Sequence, residues 1–188
     1  MKFESVRPDA RWILRDGTRD LHDRAEAALG SGPMQRTGDY IAMLRANLDM
    51  TETVIWAVEP HLPGWLTAGL DRDRMRLRAD LADLGATCSP RAATVSIADR
   101  AGAMGAVYVC EGARLGGRVL ARQVQETLGL TADHGAAYLG GEGGDSGARW
   151  RGFVDALNRD LTRPEDLNRA LLAARSIFAL IIKSYEEA

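Results

Sequence analysis

The sequence predicts an all-α, single-domain helical bundle, and three observations predict it. Apolar residues recur at helical spacing in about six stretches, no run alternates convincingly with period two, and 188 residues suffice for one sizeable core but are short for two. Nothing reads as a linker, so one domain is expected over 1–188. The first helix is expected over 9–29, where Ile13, Leu14, Leu21, Ala25 and Leu29 recur before Gly30 and Gly32-Pro33 end it. The second covers 37–60, with Thr37 and Asp39 as cap candidates and Ile41, Leu44, Leu48, Val54, Ile55 and Val58 as its apolar positions. A third over 65–84 is rich in Arg and Asp on its outer face, and 85–95 is a connection containing Pro90. Residues 96–128 form a helix studded with glycine that stops at Gly129. The stretch 131–147, ending GGEGGDSG, is expected to be a mobile loop. Two helices close the chain, 148–161 and 164–187, the last opening on Pro164 with Glu165 and Asp166 in its first turn.

Composition narrows the function classes. Hydrophobic residues at 46% and charged residues at 27% describe a compact globular chain rather than a disordered or fibrous one. Lys+Arg 24 against Asp+Glu 26 leaves a net charge of -2, too little basic field to attract nucleic acid. The two cysteines, Cys88 and Cys110, offer neither a disulfide framework nor a zinc site, as expected in a reducing cytosol. The segment MKFESVRPDARW has no apolar leader core, and the longest greasy stretch, 177–182, falls far short of the roughly 20 residues a bilayer needs. A cytoplasmic protein without a membrane partner is therefore expected.

Several familiar motifs are absent: there is no Walker loop, no HExxH and no GxSxG. Gly144-Asp145-Ser146-Gly147 is similar to the nucleophile segment of trypsin-like proteases, but it stands in a glycine loop of a helical chain. Asp80 and Asp83 have the helical spacing of a carboxylate pair, and a solvated helix face is the expected explanation.

Two features point to a ligand. On a helix drawn at 100° per residue, Arg15, Thr18 and His22 share a stripe at the edge of the apolar face. Arg15 and His22 are then about 10 Å apart along the axis, which suits a ligand with a central metal and an anionic rim. A lone histidine in such a position is more often simply packed or half-exposed, and His61 and His134 have less claim still. The second feature is the run GAMGAVYVCEGARLGG, which lines Gly102, Gly105, Val109, Gly112 and Gly116 along one side of a helix. Each mid-helix glycine costs up to ~1 kcal/mol relative to alanine, so the stripe needs a reason. Close packing of another helix is one reason; close approach of the backbone to a flat ligand is the other.

Three segments in order carry a family resemblance. LRDGTRDLHDRAEAAL (14–29) resembles the proximal helix of haem oxygenases, YVCEGARLGG (108–117) resembles their distal helix, and LNRDLTRPEDLNRALLAARSIFALIIKSYEE (157–187) resembles their closing helices, including Asn158, Pro164 and Phe178. The bacterial branch, including the oxygenases that make bilin for bacteriophytochromes, is the most similar. The resemblance implies haem as both cofactor and substrate, His22 as the proximal iron ligand, Gly112 and Gly116 as distal glycines over the ring, and Arg15 as a propionate partner. Thr18 and Glu26 are then supporting residues. The distal acid of the animal enzymes falls at Ala113, beside the haem but without a polar group. The family's basic propionate partner on the penultimate helix falls near Val154, with Arg149 and Arg151 close by.

The activity implied is cleavage of haem to biliverdin, carbon monoxide and ferrous iron with O2. A neutral histidine ligand suits oxygenation because it pushes less electron density onto iron than a thiolate. No flavin or iron–sulfur motif is present, so electrons must come from an external reductase or ferredoxin. A bacteriophytochrome receiving biliverdin is a further implied partner. Ala113 favours a second reading, a haem carrier or sensor that does not degrade haem. A third is a non-catalytic interaction protein on the same fold.

Overall fold

Caps and glycines set where the helices of this chain begin and end. The computed structural model describes residues 9–30, 34–87, 94–140 and 146–187, and over these the fold is all-α. In order the helices are α1 (Ala10–Gly17), α2 (Arg19–Leu29), α3 (Thr37–Val58), α4 (Gly64–Asp83), α5 (Arg100–Leu128), α6 (Ala137–Gly140), α7 (Ser146–Asp160) and α8 (Pro164–Glu186). Asp9 caps α1 by accepting the Arg11 N–H at 2.9 Å, and Asp99 caps α5 by accepting that of Gly102 at 2.9 Å. α8 opens on Pro164, whose missing N–H leaves nothing unsatisfied, and Glu165 and Asp166 complement the helix dipole. α5 stops at Gly129, whose left-handed φ of 70° a residue with a Cβ adopts only at a cost. Among the described residues, no helix is long and apolar enough to cross a membrane.

Four expectations need correction. The single helix over 9–29 is two helices, broken where Thr18 leaves helical geometry (φ −118°, ψ 4°). A local bond and a tertiary one hold the break: Thr18 donates its hydroxyl to Leu14 O, one turn back, at 2.7 Å, and Arg175 of α8 donates to Gly17 O at 2.6 Å while pairing with Asp20. A Cβ on Gly17 would lie 2.6 Å from a methyl of Leu171, so α1 lies close against α8 there and a larger residue would have to displace that side chain. The expected mobile loop over 131–147 is ordered through 140. Asp80 accepts the N–H groups of Ala137 (2.7 Å) and Tyr138 (2.8 Å), starting α6, and Asp83 accepts that of Gly135 at 2.9 Å. Residues 141–145 lie outside the described residues, and helix resumes at Ser146 rather than 148. Asp80 is thus fully buried rather than on a solvated face. Nor is α4 acidic only on its outside, since Asp73 is buried as well.

Two apolar clusters form the core. One gathers Leu14, Met50, Leu70, Met104, Leu157 and Ile177 around the α5–α8 contact; the other gathers Tyr40, Leu44, Leu48, Leu77, Leu81 and Val124. Tyr185 packs against both, so they make one domain. Its hydroxyl takes a hydrogen bond at 3.0 Å from Nδ2 of buried Asn47, whose Oδ1 accepts from the Tyr138 hydroxyl at 3.2 Å.

Candidate functional site

The glycine stripe of α5 divides into two halves with different surroundings. At Gly105 an added Cβ would stand 1.9 Å from the Ala170 carbonyl oxygen, so this position is bare to let α8 pack closely, whereas at Gly102 a Cβ would make only ordinary contacts with Ile97 and Ala173. At Gly112 and Gly116 an added Cβ would meet nothing within 4 Å. Close packing therefore explains Gly105, and it does not explain Gly112 and Gly116, which face open space. Tyr108, Gly112, Leu115 and Val119 lie within about 60° of one another around the axis, with Gly116 beside Gly112. Leu115 and Val119 are exposed at 44% and 67%, so the open half carries an uncovered apolar face.

That face begins at the junction of α1 and α2. At one end the Tyr108 hydroxyl meets Thr18, with the guanidinium groups of Arg15 and Arg11 nearby; burial raises the phenol's pKa, and the two arginines oppose the rise. At the other end Thr127 Oγ1 lies 2.5 Å from Met34 O, and Leu29 packs with Val124 and Leu120. α5 is thus held at Thr18, just before α2, and at Met34, just beyond it, on either side of a stretch spanning about 28 Å of α5 at 1.5 Å per residue. Between the ties lie His22 from α2 and Gly112, Leu115, Gly116 and Val119 from α5.

His22 is held from two sides but left open. Its ring stands edge-on to Phe178 of α8 at 6.2 Å between centroids, and Nδ1 lies 3.6 Å from Glu26 Oε1, while the side chain remains 59% exposed. With Asp23, His22 and Glu26 bring possible ligand atoms within 4.8 Å of one another. One turn before the break, the Arg11 and Arg15 guanidinium carbons stand 4.3 and 5.0 Å from the Trp12 ring centroid. Arg11 Nε is buried without a protein partner. The structure keeps Arg15 and His22 exposed and buries Thr18, because the helix break interrupts the expected stripe. Arg11 was missed from the sequence, although its i, i+4 spacing to Arg15 was visible.

The arrangement fits a haem. An exposed imidazole on α2, an uncovered apolar face on α5 and two arginines beside Trp12 are the groups that could hold the iron, the ring and an anionic rim. The distal side departs from the expected pattern at Ala113, an exposed residue with no polar group. Of the other histidines, His61 bonds Ile97 O at 2.9 Å and His134 lies 3.7 Å from Asp83.

The propionate expectation for the penultimate helix does not hold at Arg149. Its Nε donates to Glu111 at 2.9 Å and its Nη2 to Asp73 at 3.0 Å, while Asp73 is bonded on its other oxygen by Arg114. Arg151 is exposed and Val154 half-buried. Burial pushes the carboxyls of Asp73 and Glu111 up, and Arg149 opposes it in both. A cavity of about 200 Å³ opens beside this group, lined by Trp65, Gly69, Arg72, Glu111, Arg149 and Phe153. The sequence offered no signal for the group, since its members come from three separate helices.

Comparisons with known proteins bear on the family and the fold. A family model described as Heme oxygenase matches residues 68–187, which takes in α5, α7 and α8 but not the helix bearing His22. The fold matches a heme oxygenase from Neisseria meningitidis, solved with NO and CO bound, at TM-score 0.77 and 24% identity, covering 96% of this chain and 92% of that one. It also matches the heme oxygenase from Leptospira interrogans at TM-score 0.76 and 19% identity, covering 96% of this chain and all of the other. No curated protein sequence matches the chain. With well over half of its length matched by the family model and the whole fold shared with two bacterial relatives, the chain belongs to the haem oxygenase family.

Proposed function

We propose that the α2–α5 cleft binds haem as a substrate and that the chain opens it to biliverdin, carbon monoxide and ferrous iron. The observation that carries this reading is the open half of α5: a bare, uncovered apolar face whose ends reach Thr18, just before the helix that presents His22, and Met34, just beyond it. Bound haem supplies the redox chemistry and is itself the molecule oxidised. The protein's residues bind, orient and exclude. His22 holds the iron from α2, and Glu26 orients the ring through Nδ1, leaving Nε2 for the metal. Phe178 limits rotation of the imidazole. Arg15, with Arg11, neutralises the propionates. Gly112 and Gly116 keep side chains off the distal face so that the backbone can approach the ring, and Leu115 and Val119 shield it from water. Ala113 adds no proton donor, so ordered water must deliver protons there.

Electrons come from an external reductase or ferredoxin. We place the chain in the cytoplasm as one unit over 1–188, in the branch that supplies bilin to bacteriophytochromes; the motifs quoted above support that branch.

Titration with hemin tests the reading. A shifted Soret band, lost with reductant and O2 as bilin appears, is expected of the parent; His22→Ala should keep the helical circular dichroism and make no bilin. Bilin formation by His22→Ala at the parent's rate, without added imidazole, defeats the assignment. A shifted band that stays stable under reductant identifies a carrier or sensor, the reading Ala113 favours, and no shift identifies an interaction protein.

A further inference from the structure

We infer that the buried quartet of Asp73, Glu111, Arg114 and Arg149 positions α5, pinning the helix from behind so that its bare Gly112–Gly116 face keeps a set height over the cleft; this rests on the haem reading above. The side chains of Asp73, Glu111 and Arg114 are 3 to 5% exposed and that of Arg149 12%, so four charges are withdrawn from water together. Such a group is a poor way to gain stability, because desolvation offsets most of the attraction and apolar residues of similar volume do as well. What it supplies instead is direction. The fork of Arg149 reaches Glu111 on α5 and Asp73 on α4, and Arg114 on α5 reaches Asp73 from the other side. Two α5 residues three apart are thereby fixed both along and around the axis, which apolar contacts alone do not do.

Location makes the pin consequential. Glu111 and Arg114 bracket Gly112 and Ala113; at 100° per residue Glu111 lies on the flank of the open face and Arg114 behind it, both buried against their partners. Gly112, Gly116 and Gly117 make this the softest part of α5, since each lacks the side chain that would stiffen it. A helix that is soft and open on one side needs a rigid hold on the other. The hold is also built into α4: a Cβ on Gly69 would lie 2.1 Å from the Arg149 guanidinium carbon, so the α4 backbone itself makes room for the group. Nothing at Asp73 or Arg149 touches the cleft, so their effect on haem can act only through α5.

The test uses Glu111→Leu/Arg149→Met, which removes both partners and leaves no unpaired charge of that pair, and Arg149→Lys, which keeps the charge and loses the fork. Amide hydrogen exchange on the full chain without haem should show amides 112–117 exchanging about 10-fold faster in the double variant, and less so in Arg149→Lys, with α8 unchanged. With haem bound, affinity should stay near the parent's while kcat falls about 10- to 100-fold and the mixture of bilin isomers broadens. A folded variant with parent exchange at 112–117, or with parent kcat and isomer ratio, overturns the pin. Should the double variant fail to fold, Arg149→Lys decides on the same readouts. Should the parent make no bilin while the exchange result appears, the pin stands and the haem-degradation reading falls.

Discussion

The two halves of the α5 glycine stripe make opposite demands on the same substitution. Gly105→Ala places a methyl 1.9 Å from the Ala170 carbonyl oxygen, about 1.5 Å short of ordinary van der Waals contact, and the obstacle is backbone. α5 and α8 must part, at the upper end of the ~1–3 kcal/mol that overpacking costs. The gain in helix propensity returns about 1 kcal/mol, leaving a net loss of about 2 kcal/mol. For a chain of this size that is about 4–8 °C in melting temperature. Gly112→Ala meets nothing within 4 Å and keeps the whole propensity gain, so it should melt about 2–4 °C above the parent. Thermal unfolding of the haem-free protein, followed by far-ultraviolet circular dichroism, reads both. On the haem reading, Gly112→Leu pays for its bulk only when hemin is added, with weaker binding and an unchanged melting temperature to within a few degrees. The reasoning is refuted if Gly105→Ala melts at or above the parent, or if Gly112→Ala melts below it.

Three further outcomes follow from other parts of the molecule. Asn47→Leu leaves the Tyr138 and Tyr185 hydroxyls without their shared partner, and urea unfolding should show a loss of about 2–4 kcal/mol. Asp80 has its carboxyl held above the ordinary 3.8 by burial, against the two N–H groups it accepts, so the folded chain binds its proton more tightly than the unfolded one. Its contribution to stability therefore declines as pH rises from about 3.8 through the raised value; Asp80→Asn should flatten that slope and, with one N–H left unpaired, cost about 1–3 kcal/mol at neutral pH. An Asp80→Asn melting curve with the parent's pH dependence would refute this. Glu26→Gln should weaken hemin binding about 10-fold, the lower end of the effect of losing a ligand's orienting carboxylate, because the pair is exposed and 3.6 Å apart; unchanged affinity and spectrum would separate Glu26 from the ligand.

Where a helix begins and ends was legible wherever the deciding group lies in the same stretch of chain. Pro164 opens α8 and Gly129 ends α5 as expected; α3 does begin at Thr37, but its cap is Arg36, which makes no side-chain capping bond, and neither Thr37 nor Asp39 caps it. Features decided by distant residues were not legible. The break at Thr18 depends on Leu171 and Arg175, and apolar periodicity runs straight through it. The order in 131–140 depends on Asp80 and Asp83, more than fifty residues earlier, against a local composition that reads as loop. The same holds at the candidate site. His22 and the glycines of α5 could be singled out because their own helices are odd. That Gly105 serves packing while Gly112 faces open space required α8 to be in place, and Arg149 could be read as a propionate partner only while Glu111 and Asp73 were unseen.

The two ties that hold α5 at Thr18 and Met34 also bear on how a ligand comes and goes. With Tyr108 against Thr18 at one end and Thr127 against Met34 at the other, both ends of the stretch are closed by contacts, so on the haem reading a flat disc enters edge-on from the side. An opened tetrapyrrole is no longer a flat disc, so on the haem reading it can leave only if the helices spread. Loosening one tie with Thr127→Val should then quicken bilin release in a single-turnover experiment without changing the rate of ring opening. Equal release rates in variant and parent would show that the product leaves by a route these ties do not govern.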